Sequence, residues 1–263
     1  MYTVNLKQTL IPYGQAVEEL KLKFKALRQS FIANEEYSPI EFVTGRVKKV
    51  ASIIDKAKRK NIPFDKIEEL IEDIAGIRIM CQFEEDINTV ISLIKQRHKK
   101  DLFVIKERDY ITNMKPSGYK SYHIIIRYPI QTPQGEKQIL AEIQIRTLAM
   151  NFWATIEHSL RYKYKQNMPA DIQNRLNKAA MAAYKLDEEM AQIREEVLKS
   201  QKGFVEEATV IGDIFNNIQN LADKHTAENM NGIYETFWKL WEENDINKLK
   251  EFDKNLLHSL SEK

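Results

Sequence analysis

The chain has 263 residues and a mass of 30.9 kDa, with 43% hydrophobic residues, 30% charged residues and a single cysteine. A chain of this size buries roughly 70% of its unfolded surface, so no disulfide or structural metal is needed for stability, and the composition excludes collagenous, mucin-like and wholly disordered proteins. The net charge is +2, yet residues 203–263 hold 12 acidic and 6 basic residues, which leaves residues 1–202 at +8: a basic body suited to an anionic ligand, and an acidic tail with a separate task.

Along the chain, Val17, Leu20, Phe24 and Leu27 recur at helical spacing and predict a helix over residues 12–32. Thr44 reads as the N-cap of a second helix running to about residue 60, with Val47, Val50, Ile54 and Ala57 on its apolar stripe and Lys49, Ser52, Lys56 and Arg59 opposite. Asn61-Ile62-Pro63 ends it, and a short helix over 64–71 follows. Four strands are predicted, over 74–83, 102–108, 122–128 and 138–147, with a helix over 86–98 between the first two. Helices return over 149–164 and 170–202, and the tail shows short helical patterns that include Ile233, Phe237, Leu240 and Trp241. The expected class is α+β: helices on a small mixed sheet, then a helical extension, divided into residues 1–202 and 203–263. No apolar run approaches the roughly 18 residues of a membrane span. Residues 1–14 lack a signal-peptide core, and Cys81 fits a reducing compartment, so a cytoplasmic protein is expected.

Several chemistries drop out. The eight glycines are too dispersed for a Walker A loop or a dinucleotide fingerprint, and no histidine spacing suits zinc. Cys81 lies in the most apolar strand and reads as core packing rather than as a nucleophile.

A carboxylate and cation constellation remains. In the last strand Ala141, Ile143 and Ile145 alternate with Glu142, Gln144 and Arg146, so one face is dry and the other is either a solvated edge or the wall of a polar cleft. Asp73, at a helix-to-strand junction, is either a solvating group or a partner of Glu142 on Mg²⁺. Residues 44–60 hold seven basic residues against Asp55 alone, which suits either a solvated helix face or a triphosphate or nucleic-acid backbone site. Arg46 and Arg78 can stack on a base, and a Gly118-Tyr119 pair between strands is either turn chemistry or an aromatic face at a cleft mouth.

The stretches Thr44-Gly45-Arg46-Val47-Lys48, Asp73-Ile74-Ala75-Gly76-Ile77-Arg78, Arg108-Asp109-Tyr110-Ile111, Gly118-Tyr119-x-Ser121-x-His123 and Glu142-Ile143-Gln144-Ile145-Arg146-Thr147, ending in Glu157-His158, resemble the synthetase domain of RelA/SpoT-type alarmone synthetases. The likeness covers roughly residues 10–200 and is greatest to the stand-alone small alarmone synthetases. It implies a nucleotidyltransferase-like mixed sheet and Mg²⁺-dependent transfer of the β,γ-pyrophosphate of ATP to the ribose 3′-hydroxyl of GDP or GTP. The products are AMP and ppGpp or pppGpp. By the same resemblance Asp73 and Glu142 are the catalytic and metal-holding carboxylates. Arg46, Lys48, Ser52, Lys56, Arg59 and Arg78 hold ATP, while Arg108, Lys115, Tyr119, His123 and Gln144 hold the guanine nucleotide. Lys25 and Phe42 stand where some relatives bind product alarmone as an activator, and a homotetramer is implied.

There is no His-Asp dipeptide, so the hydrolase activity of long family members is not expected, and Ser117 stands where many of them have Asn. Two alternatives are retained. One is pyrophosphate transfer to another acceptor such as a tRNA 3′ end. The other is a non-catalytic RNA- or nucleotide-binding regulator, in which Asp73 and Glu142 would be dispensable.

Overall fold

The computed structural model describes residues 6–163, 169–222, 227–243 and 245–261. In chain order these form α1 (Leu6–Thr9), α2 (Ile11–Ala33), β1 (Phe42–Val47), α3 (Val50–Arg59), a 3₁₀ turn (Phe64–Lys66), α4 (Ile67–Leu70), β2 (Ala75–Cys81), α5 (Glu84–Lys95), β3 (Phe103–Asp109), β4 (Tyr122–Thr132), β5 (Gly135–Thr147), α6 (Leu148–Lys163), α7 (Ala170–Ala222), α8 (Ala227–Glu242) and α9 (Ile246–Ser261). Tyr164, the last residue of the helix predicted over 149–164, lies outside the described residues. Among those residues no helix is long and apolar enough to cross a membrane.

The sheet is five-stranded and mixed, in the order β1-β2-β5-β4-β3, with β2 and β5 parallel and every other pair antiparallel. Its dry face carries Ile77, Ile79, Ile143, Ile145, Ile124 and Ile126, all fully buried. These join Tyr13, Val17, Leu20 and Phe24 of α2 and Ile87, Val90 and Ile94 of α5 in one core. Each such isoleucine contributes about 1.5–3 kcal/mol by leaving water. α2 can close on the sheet only because position 45 is glycine. A Cβ there would lie 2.8 Å from Val17 Cγ1, 2.9 Å from Lys21 Cδ and 3.0 Å from Ile77 Cδ1.

One predicted element is corrected. Thr44 does not cap a helix: residues 42–47 form β1, paired antiparallel with β2 from Phe42↔Met80 to Val47↔Ala75. The aromatic and β-branched run Phe42-Val43-Thr44 with Val47 suits a pleated surface better than a helix start. The helix begins at Val50, after Lys49 in an extended conformation, and buries Ala57 as predicted, with Ile53 rather than Ile54 fully buried beside it. The remaining strands are those predicted, with β4 and β5 longer than expected.

The chain divides into two compact units, residues 1–191 and 192–263. α7 is a single helix of 53 residues that passes through Gly203, where the sequence reading placed the start of the extension. In the second unit Ile214, Ile218 and Leu221 of α7 gather with Phe237 of α8 and Leu249 and Leu256 of α9 into a small core of its own. Of the helical pattern noted in the tail, Phe237 is fully buried and Trp241 is substantially exposed.

Where β5 runs into α6, the Thr147 hydroxyl accepts from the Met150 amide at 3.1 Å and donates to Asp187 Oδ2 of α7 at 2.7 Å. Burial pushes the Asp187 carboxyl up to about 6, against the hydrogen bond from Thr147. A folded-state pKa above the unfolded value favours folding at low pH, and that contribution is lost as pH rises through about 6. Asp187→Asn keeps an acceptor for Thr147 and removes the charge. Its melting temperature relative to the parent is expected to be about 2–4 °C more favourable at pH 8 than at pH 5. An offset equal at both values would show that Asp187 is not the titrating group.

Candidate active site

The polar face of the sheet is laid out by strand register. One row runs Arg46, Gly76, Glu142, Ile125 and Lys106 across β1, β2, β5, β4 and β3, and the next runs Thr44, Arg78, Gln144, His123 and Arg108. A cavity of about 230 Å³ opens over these rows, lined by Thr44, Arg46, Asp73, Gly76, Arg78, Glu142 and Gln144. Gly76, directly beside Glu142, leaves its floor open.

Asp73 sits just before β2. Lys48 Nζ donates to its Oδ2 at 2.7 Å, and Lys56 Nζ lies 2.8 Å from Oδ1. Burial raises the Asp73 pKa, but the two ammonium groups outweigh it and hold the carboxyl below its ordinary range. Oδ1 is buried and held by the Lys56 ion pair without a hydrogen bond of good geometry.

Glu142 is buried and accepts two hydrogen bonds. His123 Nδ1 lies 3.0 Å from its Oε1, and Gln144 Nε2 donates to its Oε2 at 2.7 Å. Burial and the neighbouring Asp73 raise its pKa; the bonds from His123 and Gln144 prevail and lower it overall. Burial, with the Arg146 and Lys115 charges, depresses the His123 pKa against the pull of Glu142, which keeps the ring neutral. His123 Nε2 meets the Tyr119 hydroxyl at 2.8 Å, and the Tyr110 ring stands edge-on to the imidazole at 5.2 Å. Lys115 Nζ lies over the Tyr110 ring at 4.2 Å and the Tyr119 ring at 4.8 Å. Burial lowers its pKa, as do the nearby Arg108 and Arg146. Arg108 pairs with Glu72 and lies 4.0 Å from Glu142.

The structure thus brings Arg46, Lys48, Lys56, Asp73, Arg78, Glu142, Gln144, His123, Tyr119, Lys115 and Arg108 into one continuous polar region. Ser52 and Arg59 lie on the same side of α3 as Lys56 but are exposed and away from the cavity lining. Lys25, exposed on α2, and Phe42, half-exposed at the start of β1, also lie outside that lining. Tyr119 is mostly enclosed by Arg146, Lys115 and His123 rather than presenting a free ring. A second cavity of about 350 Å³ adjoins it, lined by Lys115, Ser117, Tyr119, Glu157 and Arg161.

Sequence reasoning assigned no role to Arg146 or Glu72. Arg146 was legible as the next outward residue after Glu142 and Gln144 in β5, whereas the Glu72 pairing with Arg108 bridges 36 positions and leaves no local signal.

The model for the region found in RelA/SpoT proteins matches residues 45–167. The GTP pyrophosphokinase YjbM of Bacillus subtilis is 57% identical over 195 residues, covering 74% of this chain and 91% of that protein. The crystal structure of small alarmone synthetase 1 from Bacillus subtilis bound to its product pppGpp superimposes with a TM-score of 0.70 and 57% identity, over 73% of this chain and 97% of that one. A GTP pyrophosphokinase family protein from Streptococcus pneumoniae matches with a TM-score of 0.71 at 48% identity, over 76% and 98% of the two chains. The chain belongs to the RelA/SpoT family, and within it to the small alarmone synthetases.

The loop that carries Tyr119 is fixed by α7. Gly118 has φ +83°, a Cβ there would lie 2.6 Å from Ala180 Cβ, and the Tyr184 hydroxyl donates to the Gly118 carbonyl. Gly118→Ala combines left-handed strain with a clash against the Ala180 methyl, at an expected cost of about 2–4 kcal/mol. The double variant Gly118→Ala/Ala180→Gly should recover only part of the lost melting temperature, because it removes the clash and leaves the strain. Full recovery would show that the φ angle costs nothing.

Proposed function

We infer that the chain transfers the β,γ-pyrophosphate of ATP to the ribose 3′-hydroxyl of GDP or GTP, giving AMP and ppGpp or pppGpp. The observation that carries this reading is the cavity in which a doubly hydrogen-bonded, ionised Glu142 and the half-satisfied carboxylate Asp73 face Arg46 and Arg78. The kinship with YjbM and with small alarmone synthetase 1 supports the same reaction.

On this reading Arg46 and Arg78, diagonal neighbours on adjacent strands, clasp the adenine between guanidinium planes. Lys48 and Lys56 neutralise the ATP phosphates, with Ser52 and Arg59 further along α3. The donor chemistry fits Mg²⁺: Asp73 and Glu142 are two hard carboxylates lining one cavity, and Asp73 Oδ1 is buried without a hydrogen bond of good geometry. Asp73 and Glu142 would hold it, and when bound it supplies charge neutralisation to the phosphates. Arg108, Lys115, Tyr119, His123 and Gln144 line the acceptor side. Glu142 accepts the proton of the 3′-hydroxyl as its oxygen bonds to the β-phosphorus and the bond from that phosphorus to the α-phosphate oxygen breaks, releasing AMP. The rest of catalysis is positioning and charge stabilisation.

Incubation with ATP, Mg²⁺ and GDP or GTP, followed by nucleotide separation, should yield AMP and a more phosphorylated guanine nucleotide in equal amounts. AMP without that partner product would refute the transfer. Glu142→Gln is expected to reduce turnover at least 100-fold, about 2.7 kcal/mol in the barrier, with ATP affinity within about threefold of the parent. Retention of more than about a tenth of the activity would remove Glu142 from proton transfer.

A further inference from the structure

Arg146 is 4% exposed, and no carboxylate lies within ion-pair distance of it among the described residues. A buried guanidinium without a counter-ion is expensive unless its hydrogen bonds have a task. Those bonds are specific. Nη2 donates to the Tyr119 hydroxyl and, at 2.8 Å, to Gln144 Oε1, while Nε donates to Ser121 Oγ at 3.2 Å.

Two chains lead from this one group to Glu142, and the direction of each is forced. Arginine has donors only. The ionised Glu142 can only accept, so a neutral His123 donates to it from Nδ1 and accepts at Nε2 from the Tyr119 hydroxyl, 2.8 Å away, whose oxygen in turn takes the Arg146 N–H. The imidazole, accepting at Nε2, carries its proton on Nδ1 and donates to Glu142 Oε1. On the second path Gln144 Oε1 accepts from Arg146 and from Arg78 Nε at 3.2 Å, which fixes the amide with Nε2 toward Glu142 Oε2. Both hydrogen bonds that Glu142 accepts from side chains therefore trace back to Arg146, the second of them shared with Arg78.

We propose that Arg146 is the positioning residue of the site: by orienting Tyr119–His123 and Gln144 together, it holds both carboxylate oxygens of Glu142 in place and aims their remaining lone pairs at the acceptor hydroxyl. Without it the Gln144 amide is held by the longer Arg78 bond alone and the His123 proton can move to Nε2, which sets a lone pair against a carboxylate oxygen. The role rests on the assignment of Glu142 as the proton acceptor. The hydrogen-bond direction can nevertheless be read without any turnover.

The test has two arms. In the ligand-free parent at pH 7.5, ¹⁵N–¹H correlation of the histidine side chains should show His123 with the proton on Nδ1, identified by its loss in His123→Gln. Arg146→Met should move it to the Nε2–H form or to a mixture, and Arg146→Lys, which keeps a cationic donor, should retain a larger share of Nδ1–H. A parent ring protonated on Nε2, or a ring unchanged in Arg146→Met, overturns the inference whatever the enzyme makes. In the kinetic arm Arg146→Met should lower kcat at least tenfold with the KM for ATP within threefold, and Arg146→Lys should recover part of kcat. A variant with raised KM and unchanged kcat would mark Arg146 as a substrate contact and overturn the positioning role. If the parent forms no alarmone, the reaction assignment fails on its own, and the histidine signal still decides the arrangement.

Discussion

The register between β2 and β5 is the constraint on which everything else depends. These strands are parallel and central, and their pairing sets Gly76 beside Glu142 and Arg78 beside Gln144 while Ile77 and Ile143 meet on the dry face. Side chains alternate with a period of two, so a slip of one residue in β5 would drive Glu142, Gln144 and Arg146 into the isoleucine core. The buried apolar residues under the sheet and the polar residues above it therefore enforce one another. The hydrophobic core selects the register, and the register assembles the carboxylate, the amide and the guanidinium on one face.

That polar face is unusual in how thoroughly it is satisfied. A buried carboxylate, an imidazole, a phenol and two guanidinium groups would each destabilise the fold if left unpaired. Here each takes part in a hydrogen bond, and the bonds share a single sense, from cations outward to carboxylates. Asp73 is the exception, with one oxygen held only by an ion pair.

Much of this was legible in the chain. The alternation of Ala141, Ile143 and Ile145 with Glu142, Gln144 and Arg146 gave both faces of β5, and the near-continuous apolar run after Asp73 gave the central strand. β1 was legible only in its aromatic and β-branched residues. Phe42-Val43-Thr44-Gly45 carries a glycine and a cap-forming threonine, and only pairing with β2 resolves whether they begin a helix or form a strand edge. The bonds within the site were equally out of reach, because Tyr119, His123, Glu142 and Arg146 meet through three-dimensional register rather than through spacing along a single element. In α7 the helix was legible but its end was not: it continues through Gly203 and Gly212 to Ala222, where Ile214, Ile218 and Leu221 join the small second core.

The same parallel pair dictates an order of assembly. Gly76 and Glu142 are neighbours in the sheet but 66 residues apart in the chain, whereas β4 and β5 join through a tight turn at Gly135. Local hairpins form before long loops close, because loop closure costs entropy that only the finished pairing repays. A nascent chain that has emerged through β4 already carries Arg46, Lys48, Lys56, Arg78 and Arg108, with Asp73 and Glu72 to pair with three of them, but no Glu142. Insertion of β5 between β2 and β4 completes the core and introduces the buried carboxylate at the same moment, so the candidate site and the folded domain come into existence as one event.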